Sequence, residues 1–243
     1  MKTMFFKMLV GVFVLCCAMQ VVAQEKIETY FTMEEMPDLV KCLPAPPDTV
    51  GTEFDHDVLR YMWGKRQRLN KERADIARRD AVWTLEALFT TFNDSFGMEL
   101  SKENTPEIWK LLMNSMSTID LIRVQPKAYF KRVRPFEHFQ EHLLTIEEED
   151  EVRGEGSYPS GHTIRGWSTA LLLSEINPAA AERLYARAWM YGESRVIVGA
   201  HWQSDVDTSR LAASIGYAKL QTSPTFRKQM AKAQAEFAKK SKK

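Results

Sequence analysis

Three short stretches of this 243-residue chain carry residue types able to handle a phosphoryl group. The first is Lys127 with Arg134 and Pro135 after it. The second is Gly156–Thr163, centred on Pro159, Ser160, Gly161 and His162. The third is Ser194 and Arg195, then His201, then Asp205. Taken singly, each has an ordinary explanation as a solvated basic face, a turn entering a helix, or a helix-end pair. Taken together, they supply the parts of a reactive anion site. Lys127, Arg134 and Arg195 provide fixed positive charge, and guanidinium forks match phosphate oxygens. Ser160 and Gly161 fall where a turn enters a helix, so their backbone N–H groups and the helix dipole favour an anion. Gly161 lets the backbone approach closely, and His162 follows at once. Asp205 can accept a hydrogen bond from Nδ1 of His201, which leaves Nε2 unprotonated and able to attack. A nucleophilic nitrogen, an orienting carboxylate, an acid and a cationic cradle suffice for phosphoryl transfer without a metal.

The elements that must position these residues read as helices. Phe54–Arg68 carries Val58, Leu59, Met62 and Trp63 at helical spacing. Asn70 caps a long helix whose stripe (Ala74, Ala77, Ala81, Leu85, Leu88, Phe89, Phe92) runs to about Phe96, where Gly97 ends it. Pro106 opens a helix bearing Trp109, Leu112, Met113 and Met116, and it or a successor runs to about Tyr129. Further helices begin near His162, at Asn177-Pro178 and at a Ser204 cap. Residues 226–243 form a Lys-rich amphipathic helix expected to fray. Val196-Ile197-Val198 is too short for a strand. The expectation is an all-α, compact helical bundle forming a single domain over residues 24–243, with 24–52 as an extended, Pro-containing lead-in.

Residues 1–23 read as a secretory signal peptide. Lys2 and Lys7 precede the apolar run Met8–Cys17, and cleavage is placed before Gln24. The run is short for a membrane span, and no second candidate follows. Roughly 220 residues then remain, enough for a sizeable core without staples. The precursor's formal charge of +1 loses two lysines and no acid. A chain so close to neutral has no field that marks a nucleic-acid partner. Cys16 and Cys17 leave with the leader, so Cys42 stands as a free thiol.

The three segments resemble the tripartite signature of the phosphatidic acid phosphatase type 2 superfamily, which also holds the vanadium haloperoxidases. Gly156–Thr163 and the run His201-Trp202-Gln203-Ser204-Asp205-Val206-Asp207 are most similar to the bacterial class A nonspecific acid phosphatases, with no departure at any signature position. The resemblance covers nearly the whole mature chain. It implies the helical fold of the acid phosphatase/vanadium-dependent haloperoxidase type, and a periplasmic or secreted enzyme acting on small phosphomonoesters with no metal or other cofactor. In that family's chemistry His201 attacks phosphorus and Asp205 orients it. His162 protonates the leaving oxygen and then activates water. Lys127, Arg134, Ser160, Gly161 and Arg195 hold the phosphate oxygens. The family's tendency implies a homo-oligomer, a dimer or larger.

Three other functions share parts of this signature. A haloperoxidase would bind vanadate at His201, but such enzymes are usually much longer. A membrane lipid phosphatase needs spans that are missing here. A non-catalytic phosphate binder does not need the His201–Asp205 pair. Several residues are expected to play no chemical part. Lys131 and Arg132 read as a solvated basic face, and Glu147–Glu151 as a solvated acidic loop near the pocket mouth. His138 and His142 read as a polar face rather than a metal pair. Met113, Phe130 and Phe136 are candidates for the leaving-group side.

Overall fold

The computed structural model describes residues 27–242, so the expected signal peptide lies outside the described residues. The chain there is helical, with no strand among the described residues. In order the helices are α1 (Leu39–Cys42), α2 (Thr52–Gln67), α3 (Lys71–Ala81), α4 (Leu85–Thr90), α5 (Asn93–Phe96), α6 (Pro106–Ile119) and α7 (Val124–Phe130). Then follow α8 (Pro135–His138), α9 (Glu149–Val152), α10 (Gly161–Ile176), α11 (Ala181–Val198), α12 (Gln203–Leu220) and α13 (Pro224–Lys240). Short 3₁₀ turns at Asp120–Arg123, Ile146–Glu148 and Pro178–Ala180 join some of them.

Helix α10 forms the axis of the bundle. It is buried on almost every side, with Ile164, Ala170, Leu172 and Leu173 fully covered. A helix covered on nearly every face must lie inside other helices, and α6, α11 and α12 surround it. Its approach to α11 depends on Gly166, where a Cβ would come within 2.5 Å of the Tyr191 ring. Helix α11 also packs on α2 and α3, and α13 lies along α6. Phe89, Phe92, Leu112, Met116, Leu184 and Phe226 fill the main core, each contributing about 1.5–3 kcal/mol of burial.

The structure revises several expectations. The stripe from Ala74 to Phe96 is carried by three helices rather than one. Asn70 does cap the first, accepting from the Arg73 amide. The chain then leaves helical geometry at Val82, and Thr84 caps a new start by accepting from the Ala87 amide. Gly97 ends the third segment in the left-handed region, at φ 83°. On α2 the buried face is Phe54, Asp57, Tyr61 and Gly64, whereas Leu59 and Met62 are exposed. The cap of α12 is Trp202, and Ser204 sits in the first turn. The C-terminal helix is no loose appendage, because Phe226, Met230 and Ala233 are buried in the core. The lead-in is tied to the body: Tyr30 N donates to Thr118 at 2.9 Å, and Tyr158 Oη donates to the Pro44 carbonyl at 2.5 Å. Cys42 is exposed and free.

Candidate active site

Six of the eight residues expected to act on phosphate line one cleft of about 400 Å³: Lys127, Arg134, Gly161, His162, Arg195 and His201. Asp205 and Ser160 lie behind its wall, both fully buried. Lys127 sits on α7 and Arg134 at the start of α8. His162 belongs to the first turn of α10, and Arg195 to the last turns of α11. His201 lies in the turn that leads into α12. That turn exists because Gly199 ends α11 at φ 91°, a left-handed conformation that a Cβ disfavours.

The three cations converge with different degrees of satisfaction. Arg134 donates to the carbonyls of Val152, Glu155 and Ala200 and meets the Glu155 carboxylate at 3.0 Å. Lys127 Nζ donates to the Gly156 carbonyl at 2.5 Å. Arg195 is 1% exposed, and its Nη2 meets Glu148 at 3.2 Å, but its Nε and Nη1 have no partner. Two buried guanidinium donors without an acceptor are costly. Their place in the cleft wall makes an anion the natural acceptor.

The two imidazoles have definite tautomers. His201 Nε2 lies 3.2 Å from Arg134 Nη1. A guanidinium only donates, so Nε2 accepts and the ring proton is on Nδ1. Nδ1 faces Asp205 Oδ2 at 3.5 Å, longer than the hydrogen bond expected from the sequence. His162 Nε2 lies 2.9 Å from the Ala81 carbonyl, which can only accept, so this nitrogen holds the proton and Nδ1 is the free atom. Ala81 is the last residue of α3, and the break after it leaves this buried carbonyl without an intrahelical donor. Ser194 fixes that helix end by donating to the buried Asp80 at 2.6 Å, and Arg187 pairs with the same carboxylate.

Other expectations are corrected here. Ser160 does not offer its amide to the cleft, because that N–H donates to Ser209 Oγ at 2.7 Å, and its hydroxyl caps α10 by accepting from the Thr163 amide. The first helical amides, Gly161 and His162, are the ones α10 leaves without an intrahelical acceptor. The acidic run lies at the cleft with Glu147, Asp150 and Glu151 exposed, as expected, but it is not solvated throughout. Glu149 is buried and accepts from the Leu143 amide at 2.7 Å, while Glu148 pairs with Arg195. The leaving-group side is lined by Val82, Trp83 and Val152. Phe136 is fully buried, Met113 packs on the core, and Phe130 lines a separate cavity. His138 and His142 do not share a helix, since α8 stops at His138, and His142 faces Glu149.

Arg132, Trp83, Arg165 and Arg123 also belong to the site and were not read from the sequence as parts of it. Arg132 was placed on a solvated face, yet its side chain is 8% exposed and lies between two buried carboxylates. It reaches Asp205 at 2.5 Å and Asp57 at 2.7 Å. The reason is local. Lys131 ends α7 in the left-handed region at φ 47°, which turns Lys131 outward and Arg132 inward. Trp83 stands beside His162 with ring centroids 4.5 Å apart, and Arg165 covers it at 3.3 Å. Arg123 lines the cleft beside them. Neither Trp83 nor Arg123 carries a local signal that separates it from a core or surface residue.

Electrostatically, the unliganded cleft is short of negative charge. Burial first, then the Arg195 guanidinium, hold His162 well below the ordinary histidine range. Burial and then Arg134 do the same to His201. Lys127 is pushed down to about 7, again by burial before Arg134. A dianion in the cleft reverses the sign of that field and raises all three. Sulfate, whose charge is constant near neutrality, is therefore expected to bind with net proton uptake. Calorimetry at pH 7 in buffers of different ionisation enthalpy reads this directly. Proton release, or no buffer dependence, is the contrary result.

The chain is similar to several known proteins. Residues 109–223, which hold all three segments, match the PAP2 superfamily. A non-specific acid phosphatase of Providencia stuartii is 39% identical over 211 residues, covering 86% of this chain and 85% of the relative. One from Salmonella typhimurium is 36% identical, covering 87% and 85%. An acid phosphatase of Zymomonas mobilis is 33% identical, covering 80% and 74%. With identity at this level over most of both chains, and an all-helical fold that brings the signature residues to one cleft, the chain belongs to the class A nonspecific acid phosphatases of the PAP2 superfamily, phosphoric monoester hydrolases.

Proposed function

We propose that this acid phosphatase hydrolyses small phosphate monoesters through a phosphohistidine on His201 and needs no metal. The observation that carries this reading is Arg195, whose two unpartnered buried donors face the same cleft as both imidazoles. The non-bridging oxygens take the places now held by Glu148 and Glu155, on Arg195, Arg134 and Lys127, and reach the Gly161 and His162 amides. Ser160 contributes as the cap that fixes those amides. His201 Nε2 leaves its contact with Arg134 and bonds to phosphorus, while the P–O bond to the leaving group breaks. The departing oxygen takes the electron pair, and a proton from Nδ1 of His162, which enters the step as the imidazolium because the bound dianion raises it. His162 then removes a proton from water, which attacks phosphorus and returns His201 to its neutral form. An alcohol in place of water completes a phosphotransfer instead. The cationic side chains supply the charge stabilisation that a metal gives other phosphatases.

We also place the enzyme in the periplasm or outside the cell, on the strength of Lys2, Lys7 and the apolar run to Cys17. No described helix is long and apolar enough to cross a membrane. The test is p-nitrophenyl phosphate hydrolysis by the purified protein with EDTA present. Turnover is expected to persist in EDTA and to be blocked by vanadate, which mimics the pentacoordinate phosphorus. Loss of activity in EDTA overturns the metal-free reading. Bromide oxidation only when vanadate and peroxide are supplied, with no phosphatase turnover, overturns the hydrolase chemistry.

A further inference from the structure

We propose that Asp57, on α2 and outside the cleft, is a positioning residue for the nucleophile. It holds half of the Arg132 guanidinium, so that Asp205 keeps a net negative charge facing His201. The proposal rests on the His201 chemistry given above.

The geometry is a chain of buried charges. Asp57 and Asp205 are both fully buried. Arg132 Nη2 meets Asp57 Oδ2 at 2.7 Å, and Nη1 meets Asp205 Oδ1 at 2.5 Å. Asp57 is held in turn by α12, accepting from the Ser204 amide at 2.8 Å and from the Ser204 hydroxyl at 2.6 Å. The other oxygen of Asp205 accepts from the Trp202 amide at 2.9 Å and faces His201 Nδ1.

Charge counting gives the consequence. Asp205 and Arg132 alone form a neutral pair, which offers little to an imidazolium. With Asp57 in place, one guanidinium serves two carboxylates, and the trio is net negative. As His201 Nε2 bonds to phosphorus, positive charge develops on the ring and its Nδ1–H points at Asp205. A carboxylate that is only half neutralised stabilises that charge more. The other groups around His201 are Lys127 from α7, Arg134 before α8, Arg195 from α11, His162 from α10 and Glu155 before α10. All but Glu155 are cationic or able to become so, and the Ser157 backbone is a neutral neighbour that favours a charged ring; Asp205 is the carboxylate that faces His201 Nδ1, and Asp57 sets its net charge.

The test compares the acid limb of kcat/KM, with one substrate throughout so that the substrate's own titration cancels. That limb follows the protonation of free His201. In Asp57→Asn the trio becomes neutral. The limb is expected to move to lower pH by about half a unit, and kcat to fall by up to about threefold with little change in KM. In Arg132→Gln two carboxylates remain without their guanidinium, and the limb is expected to move to higher pH. The double variant Asp57→Asn/Arg132→Gln restores a single negative charge, and its limb returns toward that of the unaltered enzyme. Damage to packing cannot move the limb in opposite directions in two variants, so opposite shifts support the proposal even where stability falls. Shifts of the same sign in both, or no shift in either, overturn it while leaving the His201 chemistry intact. Turnover that survives His201→Ala removes that chemistry, and this proposal with it.

Discussion

Replacing His201 by alanine is expected to lower kcat by about 10⁶-fold, the scale seen when a covalent nucleophile is deleted. No other group can take its place. His162 is tied through Nε2 to the Ala81 carbonyl on the opposite wall. Lys127 is tied to the Gly156 carbonyl, and a Cβ at Gly156 would lie 2.6 Å from the Lys127 carbonyl, so the two segments have no room to shift. The cradle itself is untouched by the substitution. Sulfate binding, measured by calorimetry, should persist while p-nitrophenyl phosphate turnover disappears. A variant that loses both has lost its fold, which circular dichroism distinguishes.

The His162→Ala variant should separate the two steps by leaving group. An alkoxide needs a proton as it departs, and a general acid contributes about 10²–10⁴-fold to such a step. Hydrolysis of glycerol 2-phosphate is expected to fall by about 10³-fold on that ground. Nitrophenolate leaves without help, so phosphorylation of His201 by p-nitrophenyl phosphate should stay fast. The second step still lacks its base. Rapid mixing should then show a burst of one nitrophenolate per site followed by slow turnover. Equal losses on both substrates with no burst would place His162 outside the proton transfers. The Nε2–Ala81 contact sharpens the expectation, since it leaves Nδ1 as the nitrogen that meets the leaving oxygen.

The signature residues were legible because phosphoryl chemistry demands particular types at particular short spacings. Three stretches met the demand in order, and the fold gathers them. The helices were legible wherever an apolar stripe continues, as on α6 with Leu112 and Met116. The same stripe concealed the break at Val82, because α4 resumes it with Leu88 and Phe89 and the periodicity hardly registers the interruption. Only Thr84 signals the new start, and the Ala81 carbonyl is left for His162 because of that break. Arg132 could not be told from Lys131 by residue type. The left-handed turn at Lys131, a tertiary outcome in a non-glycine residue, decides which faces inward. Asp57 lies near the start of α2 beside an apolar stripe and carries no local sign of a buried partner. Its partner Ser204 lies far along the chain and was assigned to a cap. Glu148 was illegible for a similar reason, since an acidic run looks solvated until a buried guanidinium is seen beside it, and Glu155, past the run, carries no local sign that it meets Arg134.

The central claim is a covalent bond between phosphorus and His201. It is tested most directly by mixing the enzyme with p-nitrophenyl phosphate, quenching during turnover in alkaline denaturant, where phosphohistidine survives, and mapping the peptides by mass spectrometry. One added phosphoryl group is expected on the peptide containing His201, and none in the His201→Ala variant. In the His162→Ala variant the label should accumulate, because the step that removes it is slowed. A phosphoryl group on His162 or another residue, or none at all in a His162→Ala enzyme that still releases nitrophenolate, would contradict it.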